Sequence, residues 1–279
     1  MMPTAKTPSL GSIPALGQGT WYLGERPARR KEEIAALRHG IALGITLIDT
    51  AEMYGNGASE TLVGEAIAGL RDDVTLVSKV LPGNASMRGT RRSCEASLQR
   101  LGTDHLDLYL LHWRGGIPLA ESVAAMEGLV RDGLIRAWGV SNFDIDDMRE
   151  LVAVSGGERV EVNQILYNLV RRGPEFDLVP YCASQGIGVM AYSPVDHGEL
   201  ATHPALEALA ADKGVSATQL ALAWVLRRAP DVSAIVKAST IEHVTANSAA
   251  ADIVFSDAER AHLDTVFPPP RRAETLEML

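Results

Sequence analysis

Residues 101–113 read LGTDHLDLYLLHW, and the run LDLYLL at 106–111 decides the fold. It is apolar almost throughout, whereas a strand with one wet face would alternate apolar and polar residues. Strands buried on both faces look like this, and parallel sheets bury both faces. Helix-length amphipathic segments flank the run at Thr90–Leu101 and Leu119–Arg131. A strand between two helices, ending in an ionisable residue (His112), is the unit from which the rest of the chain can be read.

The same unit recurs in both directions. Short β-rich runs fall at Ile13–Leu16, Ile45–Ile48, Val74–Ser78, Leu106–Leu111, Ile135–Val140, Val160–Ile165, Gly188–Ala191 and Ser233–Val236. Between them lie helical patterns. In Ser59–Leu70 the residues Leu62, Val63, Ala66, Ile67 and Leu70 form one stripe, with Ser59 placed to cap it. Arg29–Leu43 carries Ile34, Leu37 and Ile41 in the same way, and Ile145–Val154 and Pro174–Gln185 follow. No Ser/Gly/Pro-rich linker divides the chain. Unbroken βα units predict a single-domain α/β (β/α)₈ TIM barrel spanning residues 1–279, a parallel eight-stranded barrel. The competing architecture is an open doubly wound sheet, which a GxGxxG after an early strand would favour. Gly17-Gln18-Gly19 and Gly55-Asn56-Gly57 are the nearest matches, and neither completes it.

Composition sets outer limits. The chain has 279 residues, 46% of them hydrophobic, and a formal net charge of −9. That balance disfavours binding to nucleic-acid phosphates or anionic lipid. The N-terminal MMPTAKTPSLGSIP has no apolar signal core, and no run approaches the ~18 apolar residues of a membrane span. Cys94 and Cys182 lack metal-binding or redox spacing and read as reduced packing residues. His197 and His203 have no zinc-ligand spacing and read as solvated or loop-packing residues, so no metal site is expected. A cytoplasmic monomer is the resulting expectation.

In such barrels the chemistry sits at the C-terminal strand ends. The polar residues found there are Asp49, Lys79, His112, Ser141 with Asn142, Gln164, Tyr192 with Ser193, and Lys237. Tyr54 lies five residues past Asp49, in a loop whose glycines at 55 and 57 let it fold back. Asp49, Tyr54, Lys79 and His112 can therefore converge. A phenol is a sluggish acid, but an ammonium ~4 Å away would favour the phenolate by about 4 kcal/mol at an effective dielectric near 20. That predicts a Tyr54 pKa lowered by up to about three units. Asp49 would keep Lys79 charged, and His112 would orient a substrate oxygen. Taken one at a time, these residues have plainer readings: an Asp49–Lys79 structural ion pair, a Tyr54 packed on Met53, a His112 capping its strand.

DTAEMYGNGASE (49–60), LVSKV (76–80), LGTDHLDLYLLHW (101–113), IRAWGVSNF (135–143), VNQILYNL (162–169) and AYSP (191–194) resemble the successive motifs of the aldo-keto reductases. The resemblance runs from about Ile13 to Asn247. It implies NAD(P)H-dependent reduction of small carbonyl substrates, with Tyr54 as proton donor and Asp49, Lys79 and His112 as its partners. It implies that Ser141, Asn142 and Gln164 hydrogen-bond the nicotinamide carboxamide and that Tyr192 stacks on the ring. Gly19, Thr20 and Trp21 resemble the segment that touches the nicotinamide ribose, and Ser193, Pro194 and the loop to Leu200 the one that folds over the pyrophosphate. For the 2′-phosphate the resemblance implies Lys237, Ser239 or Thr240, and Asn247. His243 stands at the family's arginine position and Ala246 at its glutamate. NADPH is therefore the expected cofactor, with NADH use allowed by the lost arginine.

Trp21, Tyr22, His112, Trp113 and the loop from Val195 to Leu200 are the expected substrate pocket. The tail after Phe267 is short and polar, which predicts an open site. LHWRG and RAWGVSN resemble a bacterial branch whose proposed substrates include methylglyoxal. Two other functions compete: a Schiff-base aldolase using Lys79, and a non-catalytic subunit that senses NADP(H).

Overall fold

A computed structural model describes residues 3–7 and 10–279. The chain opens with an antiparallel hairpin, β1 (Thr4–Thr7) and β2 (Gly11–Pro14). Eight parallel strands then close a barrel: β3 (Leu16–Gly19), β4 (Leu47–Asp49), β5 (Thr75–Val80), β6 (Leu106–Leu111), β7 (Ile135–Ser141), β8 (Val162–Leu166), β9 (Gly188–Tyr192) and β10 (Val232–Lys237). Pairing of β10 with β3 completes the ring. The helices are α1 (Arg30–Ala42), α2 (Ala58–Ile67), α3 (Met87–Leu101), α4 (Leu119–Arg131), α5 (Ile145–Ala153), α6 (Leu178–Ser184), α7 (Pro204–Lys213), α8 (Ala217–Leu226), α9 (Ile241–Ala249) and α10 (Asp257–Val266).

The closed barrel agrees with the sequence reading and excludes the open sheet. The first strand needs correction. Ile13–Leu16 straddles two elements: Ile13 and Pro14 belong to the hairpin, and barrel pairing starts only at Leu16. The apolar run was shared because Ala5 and Ile13 of the hairpin pack into the interior of the barrel together with Leu47, Val77, Leu108 and Leu110. Ser59 also differs from expectation. Gly57 caps α2, and Ser59 lies in the first turn, buried, donating to the Thr20 carbonyl at 2.8 Å. Its hydroxyl ties α2 to the β3 exit loop and is not used as a cap. Other ends follow the expected chemistry: Ser86 caps α3, and Ser256 makes a capping box on α10.

The strand period of two explains how the interior turns polar at one end. Leu47, Val77, Leu110, Val162, Met190 and Ile235 belong to the inner apolar layer. Two residues later on each strand, pointing to the same side, stand Asp49, Lys79, His112, Gln164, Tyr192 and Lys237. Gly139 holds the corresponding inner position on β7, two before Ser141. A Cβ there would lie 2.6 Å from the Val162 carbonyl oxygen, so neighbouring strands approach too closely for any side chain. Cys94 and Cys182 are buried, free thiols, and burial pushes both up to about 12, which keeps them unreactive.

Candidate active site

A cavity of about 550 Å³ opens at the C-terminal strand ends. Asp49, Tyr54, Trp21, Tyr22, His112 and Trp113 line it together with Ser141, Asn142, Gln164, Tyr192, Lys237 and Ser239. Lys79 lies beneath this wall, fully buried on β5.

The Lys79 ammonium organises the floor. It donates to Asp49 Oδ2 at 2.7 Å, to the Thr50 carbonyl at 3.0 Å and to Tyr54 Oη at 3.1 Å. All three of its N–H bonds are thereby used. The other Asp49 oxygen accepts from Gln164 Nε2 at 2.8 Å. Tyr54 is carried by a tight turn, Tyr54–Gly57, in which Gly55 and Asn56 take positive φ. Glu52 pins that loop to the segment following β5, accepting from the Leu81 N–H at 2.7 Å and from Asn84 Nδ2 at 3.1 Å. Asp49, Tyr54, Lys79 and His112 do converge. The Tyr54 and His112 rings meet edge to face with centroids 5.9 Å apart.

Electrostatics corrects one expectation. Burial raises the Tyr54 pKa, and the opposing pull of the nearby Lys79 charge does not overcome it. The phenol thus stays protonated at neutral pH, ready to donate. Burial alone would lower Lys79, but Asp49 and Tyr54 outweigh it and hold the ammonium charged. His112 is pushed down to about 3, by burial first and Lys79 second, so it is a neutral imidazole with one donor. Its Nδ1 is buried without a protein partner.

The remaining candidates fall into two groups. Asn142, at φ 59°, donates from Nδ2 to the His112 carbonyl at 3.1 Å and accepts the Tyr192 hydroxyl at 2.8 Å. That bond fixes the Tyr192 ring at the cavity wall. Gln164 gives its amide nitrogen to Asp49, which leaves its carbonyl oxygen for a ligand. Gly19, Thr20, Ser193, Pro194 and His243 also line the cavity. Thr240 and Asn247 are not brought to it: the Thr240 hydroxyl caps α9 by accepting from the His243 N–H, and Asn247 is buried in that helix. The donor set fits an extended dinucleotide: an amide and hydroxyl cluster at Ser141–Asn142–Gln164, a flat phenol face at Tyr192, and a cation with a hydroxyl at Lys237 and Ser239.

Trp21 stacks on Tyr22 at 4.6 Å, and His197 packs edge-on against Trp21 at 5.9 Å. His197 is thus part of the cavity wall, whereas His203 packs on Phe267. The tail does not leave the site open. Glu277 pairs with Arg171, Leu276 packs on the core, and Met278 and Leu279 line the cavity. Met53 was missed as well. Its position one residue before Tyr54 was the available signal, and the tail's apolar tip at Met278–Leu279 was the other.

The fold and this site define a class. The aldo/keto reductase family model matches residues 15–267, and the chain belongs to that family of oxidoreductases, which reduce carbonyl groups. Its relatives include methylglyoxal reductase YeaE of Escherichia coli K12, 50% identical over 273 residues, covering 96% of each chain. The NADH-specific methylglyoxal reductase of the same organism is 32% identical, covering 89% of this chain and 93% of that one. A crystal structure of an aldo/keto reductase from Klebsiella pneumoniae in complex with NADP and acetate superposes with a TM-score of 0.97 at 51% identity, covering all of both chains. A second from that organism, in complex with NADPH, also gives 0.97, at 50% identity.

Proposed function

We propose that the chain reduces small aldehydes and ketones, methylglyoxal and related dicarbonyls among them, with NADPH as cofactor and NADH as a weaker substitute. The observation that carries the reading is the buried Lys79 ammonium bonded at once to Asp49 and to the Tyr54 hydroxyl. A reduced nicotinamide held against Tyr192 would supply the hydride. Ser141, Asn142 and the free Gln164 oxygen would orient its carboxamide, and Lys237 with Ser239 would take the 2′-phosphate.

The substrate carbonyl oxygen would sit between Tyr54 Oη and the His112 imidazole, both donors in their neutral forms. As hydride adds to the carbonyl carbon, the Tyr54 proton passes to the oxygen, giving the alcohol and a phenolate. Lys79 stabilises that phenolate from 3.1 Å away, and solvent returns the proton afterwards. Trp21, Tyr22 and Trp113 bound a pocket suited to small substrates, and Met278 with Leu279 narrow it. Lys79 does not suit Schiff-base chemistry: it is fully buried, charged, and has all three donors engaged. The same reading has the chain acting as one domain and a monomer in the cytoplasm; no helix among the described residues is long and apolar enough to cross a membrane.

Oxidation of NADPH and of NADH over a panel of aldehydes, ketones and dicarbonyls tests the proposal. Turnover with methylglyoxal, faster with NADPH, is the expected result. Tight NADPH binding with no oxidation by any carbonyl would favour a sensing subunit instead.

A further inference from the structure

We propose that Arg29, on the loop ahead of α1, supplies a cation for the cofactor's 2′-phosphate and so sets the preference for NADPH over NADH; the inference rests on the cofactor reading above. Arg29 Nη2 donates to Ser239 Oγ at 3.2 Å, across 210 positions of sequence. Ser239 lines the cavity beside Lys237 and His243. The contact exists because β10 closes on β3, which sets the β3–α1 and β10–α9 loops side by side.

Chemistry at this rim explains why a second cation matters. The chain carries a net charge of −9, so a phosphate monoester approaches against the overall field. Lys237 is exposed, with its ammonium 5.9 Å from the Tyr22 ring centroid. Alone it is a point charge. His243 offers no permanent charge and no fork of donors. A guanidinium offers both, and binds phosphate through paired N–H groups. Arg29 is 35% exposed and holds Glu32 through Nε at 3.2 Å. Glu32 itself is half exposed and can swing into water, so it does not commit the guanidinium. The Nη2 end already rests on the hydroxyl that shares the phosphate site. An arginine from the neighbouring β3–α1 loop thus bonds the rim hydroxyl of Ser239, while α9 itself presents His243 and no arginine.

Binding measurements on the full chain test this without turnover. Dissociation constants for NADPH, NADH, adenosine 2′,5′-bisphosphate and AMP would be measured by calorimetry for the unaltered protein, Arg29→Ala and Arg29→Lys. The expected result is a loss of about tenfold or more in Arg29→Ala for the two 2′-phosphorylated ligands, with NADH and AMP moving less than twofold. Arg29→Lys should recover part of the loss. Equal losses for phosphorylated and unphosphorylated ligands would assign Arg29 a structural role and overturn the proposal. An Arg29→Ala protein that keeps the full preference for NADPH would overturn it too, and would leave the cofactor reading standing. Failure of the unaltered protein to bind either dinucleotide would overturn both.

Discussion

Replacing Lys79 with methionine keeps the stem and removes the charge, and its consequences can be worked from three distances. The ammonium lies 3.1 Å from Tyr54 Oη, 2.7 Å from Asp49 Oδ2 and 3.0 Å from the Thr50 carbonyl. At an effective dielectric near 20, a unit charge at that first distance favours a phenolate by about 5 kcal/mol. With about half of that felt while the proton is in transit, the barrier rises by about 2–3 kcal/mol, a loss near a hundredfold in kcat. Stability falls as well. Asp49 is almost fully buried and would keep only the Gln164 bond. Removing one partner of such a pair costs about 3–5 kcal/mol. The double variant Asp49→Asn/Lys79→Met should regain most of that stability and none of the activity. Urea unfolding and steady-state kinetics on the three proteins separate the two effects. A Lys79→Met protein within threefold of the original kcat, or a double variant no more stable than the single one, would refute this electrostatic account.

Two further outcomes follow from the geometry. His112 titrates at about 3 in the folded chain against an ordinary 6.5. Between those values the unfolded chain binds a proton that the folded one refuses, so this imidazole lowers stability progressively from pH 6.5 towards 3, by up to about 5 kcal/mol. His112→Gln should remove that component, read as a shallower loss of stability with acid; superimposable profiles would contradict it. Gly139→Ala places a methyl 2.6 Å from the Val162 carbonyl oxygen and 2.9 Å from Leu110 Cδ2. It should cost about 1–3 kcal/mol by overpacking, seen in the urea midpoint, and an unmoved midpoint would mean that β7 and β8 separate freely.

Much of the barrel was legible because its signal is local. Runs buried on both faces, such as LDLYLL, declare parallel strands, and the period of two then projects Asp49, Lys79 and Gln164 into one layer. What was hidden depends on contacts far apart in sequence. Ile13 is apolar because a hairpin plugs the barrel, and an apolar residue beside a strand cannot report that distinction. Ser59 has the composition of a cap but is needed by Thr20. The sign of the Tyr54 shift turned on burial, which residue spacing does not measure, so charge alone misled. Gln164 can offer a ligand only its carbonyl oxygen, because Asp49 holds its nitrogen, a contact 115 residues away in sequence. Leu279 reaches the cavity only through the returning tail, and Arg29 meets the lining residue Ser239 only through barrel closure.

Tyr54→Phe is the most direct test, because it removes the one oxygen from which the transferred proton must come and leaves the ring in place. Rapid mixing of the NADPH-loaded variant with methylglyoxal should show nicotinamide oxidation slowed at least a hundredfold, with the NADPH dissociation constant within about twofold of the original. Oxidation at the unaltered rate would mean that residue 54 is not the proton donor, and loss of NADPH binding would mean that its role is to hold the cofactor.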